Sequence, residues 1–175
     1  MMAILKLSAR RYARETSGMA AVEVVFWLAA LVPALFNIVD LGTYVFQRMQ
    51  VENAAQMGAQ AAWAACESPP EDGCGSVDAV NTAVAAALAS TSLGDKVEQS
   101  GELEEGYYCP DPDAAAKDQT LVAVTDGTST CASGAKAGYY VKVVATYPYA
   151  PIIATVSLAT LLDGDITQTA WSRVK

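Results

Sequence analysis

The residues that could do chemistry are few in this chain, and their types argue against catalysis. There is no histidine among the 175 residues, so imidazole general bases, the triads built on them and most catalytic zinc sites are excluded. Ser133 and Lys136 match the S-x-x-K spacing of penicillin-binding enzymes, but the S-D-N and K-T-G elements of those enzymes are absent from the sequence. We therefore expect no enzymatic activity and no cofactor.

Two acidic pairs are the remaining candidates for a metal site. Asp111 with Asp113, and Asp163 with Asp165, could be fragments of a calcium loop, but neither pair shows the longer acidic alternation of an EF-hand. Ordinary turns explain them better. The formal net charge of -8 would repel a polyanion, so nucleic-acid binding is also disfavoured.

The four cysteines are the most informative reactive residues. Their spacing contains no C-x-x-C pair, and without histidine a zinc site is disfavoured. In an oxidising compartment an even number of cysteines indicates disulfides, here with three possible pairings. We favour the two pairings between cysteines that are near in sequence. By the chain-entropy relation these disulfides would stabilise the fold by at most about 2.6 and 3.4 kcal/mol. They are Cys66 with Cys74 and Cys109 with Cys131.

The elements that must position these residues begin with a basic head and an apolar stretch. Four of the five charged residues before Gly18 are basic, whereas the rest of the chain has 7 basic and 18 acidic residues. Residues 19–39 contain Glu23 as their one charged residue, and about 20 residues span a hydrocarbon core of about 30 Å. A buried core helix and a cleaved secretory signal are the alternatives. We expect a transmembrane helix with the head in the cytoplasm and the body outside the inner membrane.

The helical pattern continues beyond the apolar stretch. Apolar residues keep recurring at helical spacing, and no proline appears between Pro33 and Pro69. This predicts one helix over 19–66, of which about 19–41 lies in the membrane. Its outer half has small residues at intervals of four, a face that allows close helix packing either within the chain's own domain or with another subunit. These residues are Ala54, Gly58 and Ala62.

Beyond Cys66 the pattern predicts a second helix and then strands. Val80, Val84 and Leu88 share one face of a helix from Ser76, its N-cap, to about Ser90. Segments rich in β-formers between turn signals predict an antiparallel sheet. They are 97–108, 121–125, 139–147 and 166–174. The expected fold class is therefore α+β.

An apolar segment, Pro151–Leu162, separates the last two predicted strands. It has no charged residue and is too short to cross a bilayer as a helix. We expect it to be a core segment under the sheet. An exposed apolar patch that serves a partner is the alternative.

The start of the helix carries a family resemblance. Gly18-Met-Ala-Ala-Val-Glu23, preceded by basic residues and followed by an apolar run, resembles a type IV prepilin processing site. In such sites cleavage follows the glycine, and glutamate is the fifth residue of the mature chain. With a proline in the apolar run, Asp40-Leu-Gly42 and the Gln-x-x-Asn53-Ala-Ala-x-x-Gly58-Ala pattern, the set resembles the TadE-like pseudopilins of tight-adherence (Tad) pilus systems. The segments 141–151 and 167–173 resemble the same family, whereas 66–138 do not.

The resemblance implies an organisation and a function. Residues 1–18 would be a cytoplasmic leader cleaved between Gly18 and Met19 by a prepilin peptidase, and 67–175 a pilin-like domain in the periplasm. The protein would be a single-pass protein of a bacterial inner membrane that can enter an extracellular pilus. Glu23 would serve assembly of a minor pilin that initiates or caps a Tad-type adhesion pilus.

The implied partners are other Tad pseudopilins, the major pilin and the inner-membrane assembly platform. The alternative is an uncleaved bitopic protein, anchored permanently at the surface, with a role in adhesion.

Overall fold

The computed structural model of the protein describes residues 17–66, 74, 78–113, 120–152, 157–162 and 164–174. Helix α1 (Ser17–Ala65) is followed by helix α2 (Asp78–Ala89), and short 3-10 helices lie at Gly94–Lys96 and Leu158–Leu161. The strands are β1 (Glu98–Gln99), β2 (Glu104–Pro110), β3 (Leu121–Val124), β4 (Gly138–Pro148) and β5 (Asp165–Arg173). This architecture confirms the α+β class and the long N-terminal helix. Most of the predicted leader, the predicted cap Ser76 and Asp163 lie outside the described residues.

The contacts divide the chain into two units. One comprises the chain up to Gly42 together with Pro151–Leu162, and the other comprises Thr43–Ala150 with Asp163–Lys175. The first unit therefore contains the apolar part of α1. The second contains the outer part of α1, helix α2 and the sheet. The predicted domain boundaries after residues 18 and 66 stay predictions.

The sheet is organised around β4, the longest strand. Every pairing is antiparallel: β5 pairs with β4 over nine residues, β1 and β2 pair with successive parts of β4, and β3 pairs with β2. The sequence predicted one strand over 97–108, but the structure has two, β1 and β2. The reason lies between them at Gly101, whose φ of 78° is a left-handed conformation that ends regular pairing.

The core of the second unit forms where both helices meet one face of the sheet. Successive side chains of a strand point to opposite faces, and in β4 the alternate residues Val141, Val143, Ala145 and Tyr147 are buried. The helices contribute mostly small side chains from α1 and a valine and leucine stripe from α2. The buried residues are Val51, Ala54, Ala55, Ala59 and Ala62 of α1, and Val80, Val84 and Leu88 of α2.

Gly58 lies where α1 closely approaches both β4 and α2. A Cβ atom added at Gly58 would lie 3.1 Å from Val143 Cγ1 and 3.2 Å from Leu88 Cδ2. Interiors are close-packed, so these methyl groups have little room to retreat. The absence of a side chain at this position therefore allows α1 to contact β4 and α2 together.

The cysteines are paired as Cys66 with Cys74 and Cys109 with Cys131, with Cα–Cα distances of 5.8 and 5.4 Å. These are the two pairings favoured from the sequence. Cys74 is also held to the sheet, because its backbone N–H donates to Glu105 Oε2 at 2.5 Å. The same carboxylate oxygen accepts a hydrogen bond of 2.9 Å from the Tyr139 hydroxyl. Glu105 therefore joins β4 to the disulfide that follows α1.

We expect Gly58→Leu to destabilise the second unit by about 1 to 3 kcal/mol or more, because an inserted side chain overpacks the contact with Val143 and Leu88. Gly42→Leu is the matched control, since nothing lies within 4 Å of a Cβ at that helical glycine. Thermal unfolding of the full chain in detergent, followed by near-ultraviolet circular dichroism, measures the difference. Equal melting temperatures for the two variants would contradict the packing role of Gly58.

The Tyr139 hydroxyl predicts a pH dependence of stability. Burial, reinforced by the hydrogen bond and the charge of Glu105, raises the pKa of Tyr139 above its ordinary value. An unfolded tyrosine ionises near pH 10, so the stabilising contribution is complete below about pH 10 and is lost as pH rises through the higher folded pKa. Between about pH 9 and 11 the melting temperature of the native protein should therefore fall more steeply than that of Tyr139→Phe.

Tyr140→Phe is the control for this experiment, because the structure records no hydrogen bond to the Tyr140 hydroxyl in the part of the chain it describes. We expect this variant to follow the native curve. Parallel pH curves for the native protein and Tyr139→Phe would contradict the role assigned to the Tyr139 hydroxyl.

Candidate assembly interface

Over residues 18–36, no other described part of the chain covers the apolar half of α1. Every residue from 18 to 36 is exposed, and Phe26 and Trp27 are 77% and 66% exposed. The helix is long and apolar enough to cross a membrane. Because a helix that is apolar on all sides is stable only among lipids or other apolar helices, this half of α1 is a surface for lipid or for helix partners. It fits a single-pass membrane protein.

The three residues predicted to serve processing and assembly lie together at the start of this surface. Among the described residues, nothing beyond the chain neighbours of Gly18 and the backbone of its own helix lies within 4 Å of the position a Cβ would occupy, and the Met19 side chain is 78% exposed. Glu23 is exposed and forms no ion pair within the described residues. Met19 and Glu23 are four residues apart, so they share one face of α1. The structure thus places an available carboxylate one turn beyond the predicted cleavage point.

At the other end of the apolar half, two polar side chains of α1 bind the segment Pro151–Leu162. The Asp40 carboxylate accepts a hydrogen bond of 3.0 Å from the Ile152 N–H and a second hydrogen bond from the Ser157 hydroxyl. One turn earlier, Asn37 Oδ1 accepts from the Leu158 N–H at 2.6 Å. Asp40 is only 3% exposed. A buried carboxylate is costly unless it is hydrogen-bonded. The segment therefore stabilises the Asp40 carboxylate, and Asp40 in turn positions the segment.

The placement of this segment corrects the sequence analysis. A position under the sheet was predicted for Pro151–Leu162 and is wrong, because the segment belongs to the unit of the apolar helix. Several of its large side chains are exposed instead: Ile152 by 62%, Leu158 by 64% and Leu161 by 81%. The apolar composition indicated that these residues avoid water, but it did not indicate which helix or strand they contact. The role of Asn37 was also missed, since one amide in an apolar run carries no motif.

The small-residue face of α1 lies against the chain's own domain. Ala54 and Ala62 are fully buried, and Gly58 contacts Val143 and Leu88. Of the two roles left open for this face, the structure therefore shows packing within the domain. The exposed large hydrophobic side chains of the outer half are different residues: Val45, Phe46, Met49, Met57 and Trp63. These side chains are the ones available to a neighbouring helix.

An aromatic cluster covers part of the sheet face opposite the core. The rings of Tyr108 and Trp171 meet edge to face at 4.9 Å, and the Tyr140 ring lies 6.3 Å from that of Tyr108. Lys142 Nζ lies 5.6 Å from the Trp171 ring and forms a 2.8 Å salt bridge with Glu104. The sequence analysis did not single out these residues, although strand alternation places all of them on one face. The cluster stabilises neighbouring strands through cross-strand pairs.

Asp111, one of the acidic residues considered for a calcium loop, and Asp126 hold local turns through hydrogen bonds. Asp111 Oδ1 accepts from the Asp113 N–H, and Asp111 Oδ2 accepts from the Thr120 hydroxyl, both at 3.0 Å. Asp126 accepts from Thr128 and Ser129, and these hydrogen bonds lower its pKa. Where the structure describes the chain, no three acidic or cysteine side chains are grouped as a metal site would require.

Comparison with known protein families gives a match over the first helix. Residues 18–60 match the family model described as TadE-like protein. The match lies entirely within α1 and includes Gly18, Glu23, Asn37, Asp40 and Gly58. It confirms the resemblance found in the sequence. No curated protein and no solved structure matches the chain.

Proposed function

We propose that this chain, a pilin-like protein associated with a Tad pilus by its TadE-like segment, is a minor pilin that initiates or caps a Tad-type adhesion pilus. The observation that carries the proposal is that the family match coincides with a helix whose residues 18–36 are all exposed. A surface of that kind can lie in lipid before assembly and among other helices afterwards. The exposed face of α1, with Glu23 on it, is the proposed assembly interface.

Maturation is the first step of the proposed function. A prepilin peptidase would cleave between Gly18 and Met19, removing the basic leader and leaving an ammonium group on Met19. The absence of side-chain bulk at Gly18, which has no neighbour within 4 Å of a Cβ position, supports access to this bond. The product would begin directly with the apolar helix.

Glu23 is the proposed partner of that ammonium group in a neighbouring subunit. A carboxylate costs about 2.5 to 3.5 kcal/mol at the centre of a bilayer and less near the interface, so an exposed Glu23 is tolerable in a single subunit. Among packed apolar helices the same charge needs an opposite charge, because an unpaired buried ion is strongly destabilising. Charge pairing therefore favours the bundle and fixes the helix register.

The proposed location follows from the basic leader and the single apolar helix. The protein would reside in the bacterial inner membrane with its N-terminus in the cytoplasm and its α+β domain in the periplasm. Other Tad pseudopilins, the major pilin, the prepilin peptidase and the assembly platform would be its partners. A permanently anchored surface protein is the alternative, and the mature N-terminus distinguishes the two.

We expect Gly18→Leu to block removal of the leader and to prevent piliation while the α+β domain remains folded, because the peptidase site can no longer accept the residue before the cleaved bond. Gly42→Leu is the matched control, since it places the same side chain on an open glycine of the same helix. Mass spectrometry of the membrane fraction measures processing. A native chain that retains Met1, or Gly18→Leu processed like the native chain, would contradict the proposal.

We expect Glu23→Ala to be inserted and cleaved normally but to lose co-purification with the other pilus subunits and to abolish filaments. Removing the Glu23 carboxylate leaves the Met19 ammonium of a neighbouring subunit unpaired, which destabilises a buried pair by about 3 to 5 kcal/mol. Glu52→Ala is the matched control, because Glu52 is an exposed carboxylate on the outer half of the same helix. If Glu23 were only an interfacial residue, its removal would be neutral or would ease insertion, and native filament counts would then be observed.

A further inference from the structure

We propose that the described residues of Pro151–Leu162, which are 151–152 and 157–162, form a second membrane-contacting element at the outer leaflet beside the end of the transmembrane part of α1. Its partner is lipid at the boundary between headgroups and acyl chains, as for other interfacial segments. The proposal does not depend on a role in pilus assembly, since it concerns the protein while it resides in the membrane.

The segment is fixed to the helix at both of its described ends. Asp40 holds the Ile152 N–H on one side and the Ser157 hydroxyl on the other, and Asn37 holds the Leu158 N–H. Ser157 Oγ in turn accepts a 3.0 Å hydrogen bond from the Ala159 N–H and so caps the short 3-10 helix Leu158–Leu161. The Ile152 and Leu158 N–H groups and the Ser157 hydroxyl are therefore directed to the helix.

The position of these anchors along α1 matches the membrane boundary. Asp40 follows Met19 by 21 residues, which at about 1.5 Å per residue is about 32 Å along the helix. The hydrocarbon core is about 30 Å thick. If the membrane-spanning part begins at Met19, the segment lies level with the outer boundary of the hydrocarbon core.

The exposed chemistry of the segment is suited to lipid. Pro151–Leu162 has no charged residue, and its Leu158 and Leu161 side chains are 64% and 81% exposed. On α1 at the same level, Ile38 and Val39 are 68% and 55% exposed, so the apolar surface of the helix continues onto the segment within one unit.

A charged side chain at this level of α1 would oppose contact with lipid, but the charged residue there, Asp40, is buried. It is the only charged residue between Glu23 and Arg48. Its carboxylate is 3% exposed and is hydrogen-bonded to the segment. The segment thus shields the Asp40 charge from lipid. If this level of the helix faced water, the charge would need no such shielding.

The test is a depth measurement with a fluorescent NBD label on a cysteine introduced as Leu161→Cys in the full chain. The four native cysteines are paired, so only the new thiol reacts, and the unsubstituted protein serves as the labelling blank. Leu28→Cys, 51% exposed in the apolar half of α1, is the membrane control, and Val122→Cys, 49% exposed on β3, is the aqueous control. Each variant is reconstituted at one chain per phosphatidylcholine nanodisc.

We expect lipids with a doxyl group near the headgroup to quench most of the emission at 161, lipids with a deep doxyl group to quench it less, and iodide to quench it little. At 122 iodide should quench most of the emission and doxyl lipids little. Strong iodide quenching at 161 without doxyl quenching would overturn the proposal. Protection of 161 only when two chains share a nanodisc would assign the segment to a second copy instead and would also overturn it.

A second variant tests the anchor. Asp40→Ala, added to Leu161→Cys, should reduce doxyl quenching at 161 and increase iodide quenching, while the same change added to Leu28→Cys should leave quenching at 28 unaltered. Unchanged depth at 161 in Asp40→Ala would contradict the anchoring role. Absence of doxyl quenching at both 28 and 161 in the unaltered helix would overturn the membrane placement of α1, whereas loss of pilus assembly with normal quenching would affect the proposed function alone.

Discussion

The outer half of α1 packs on the sheet at a distance that only small residues permit. Gly58 lies against Val143 and Leu88, and the alanines on either side of it along the helix are buried without adding bulk. A helix with leucines at these positions would stand away from β4 and leave α2 without a shared core. The same helix continues into the apolar half, whose residues 18–36 are exposed, so only the outer half of α1 is used for packing against the sheet.

The two halves of α1 illustrate how much of the fold the sequence predicts. Uninterrupted helical periodicity predicted one helix over 19–66, and the structure ends α1 at Ala65. The stripe of Val80, Val84 and Leu88 predicted the buried face of α2 in the same way. These predictions succeed because periodicity is a local property that burial on one side imposes directly. The division of the strand at Gly101 was missed, because the backbone conformation of one glycine is not encoded in alternation.

The candidate site shows the opposite limit. Gly18, Met19 and Glu23 were singled out because the segment around them resembles a prepilin processing site, and such a motif can be read locally; their roles stay predictions. The contacts of Asn37 and Asp40 with Pro151–Leu162 join residues more than a hundred positions apart, and no pattern in either segment specifies the other. Apolar content placed the segment under the sheet by analogy with ordinary cores. Hydrogen bonding to two polar side chains of the helix outweighed that expectation.

The disulfide that follows α1 has a mechanical consequence. Cys66 lies one residue beyond the end of the helix and is bonded to Cys74, whose N–H is held by Glu105 of β2. The covalent bond bypasses the seven residues between the two cysteines, so tension applied along the helix passes across sulfur to the sheet without first extending that stretch of chain. Glu105 also accepts from Tyr139 of β4, which spreads the load over two paired strands. The disulfide and the hydrogen bonds of Glu105 therefore give a short path for force between the end of the helix and the sheet.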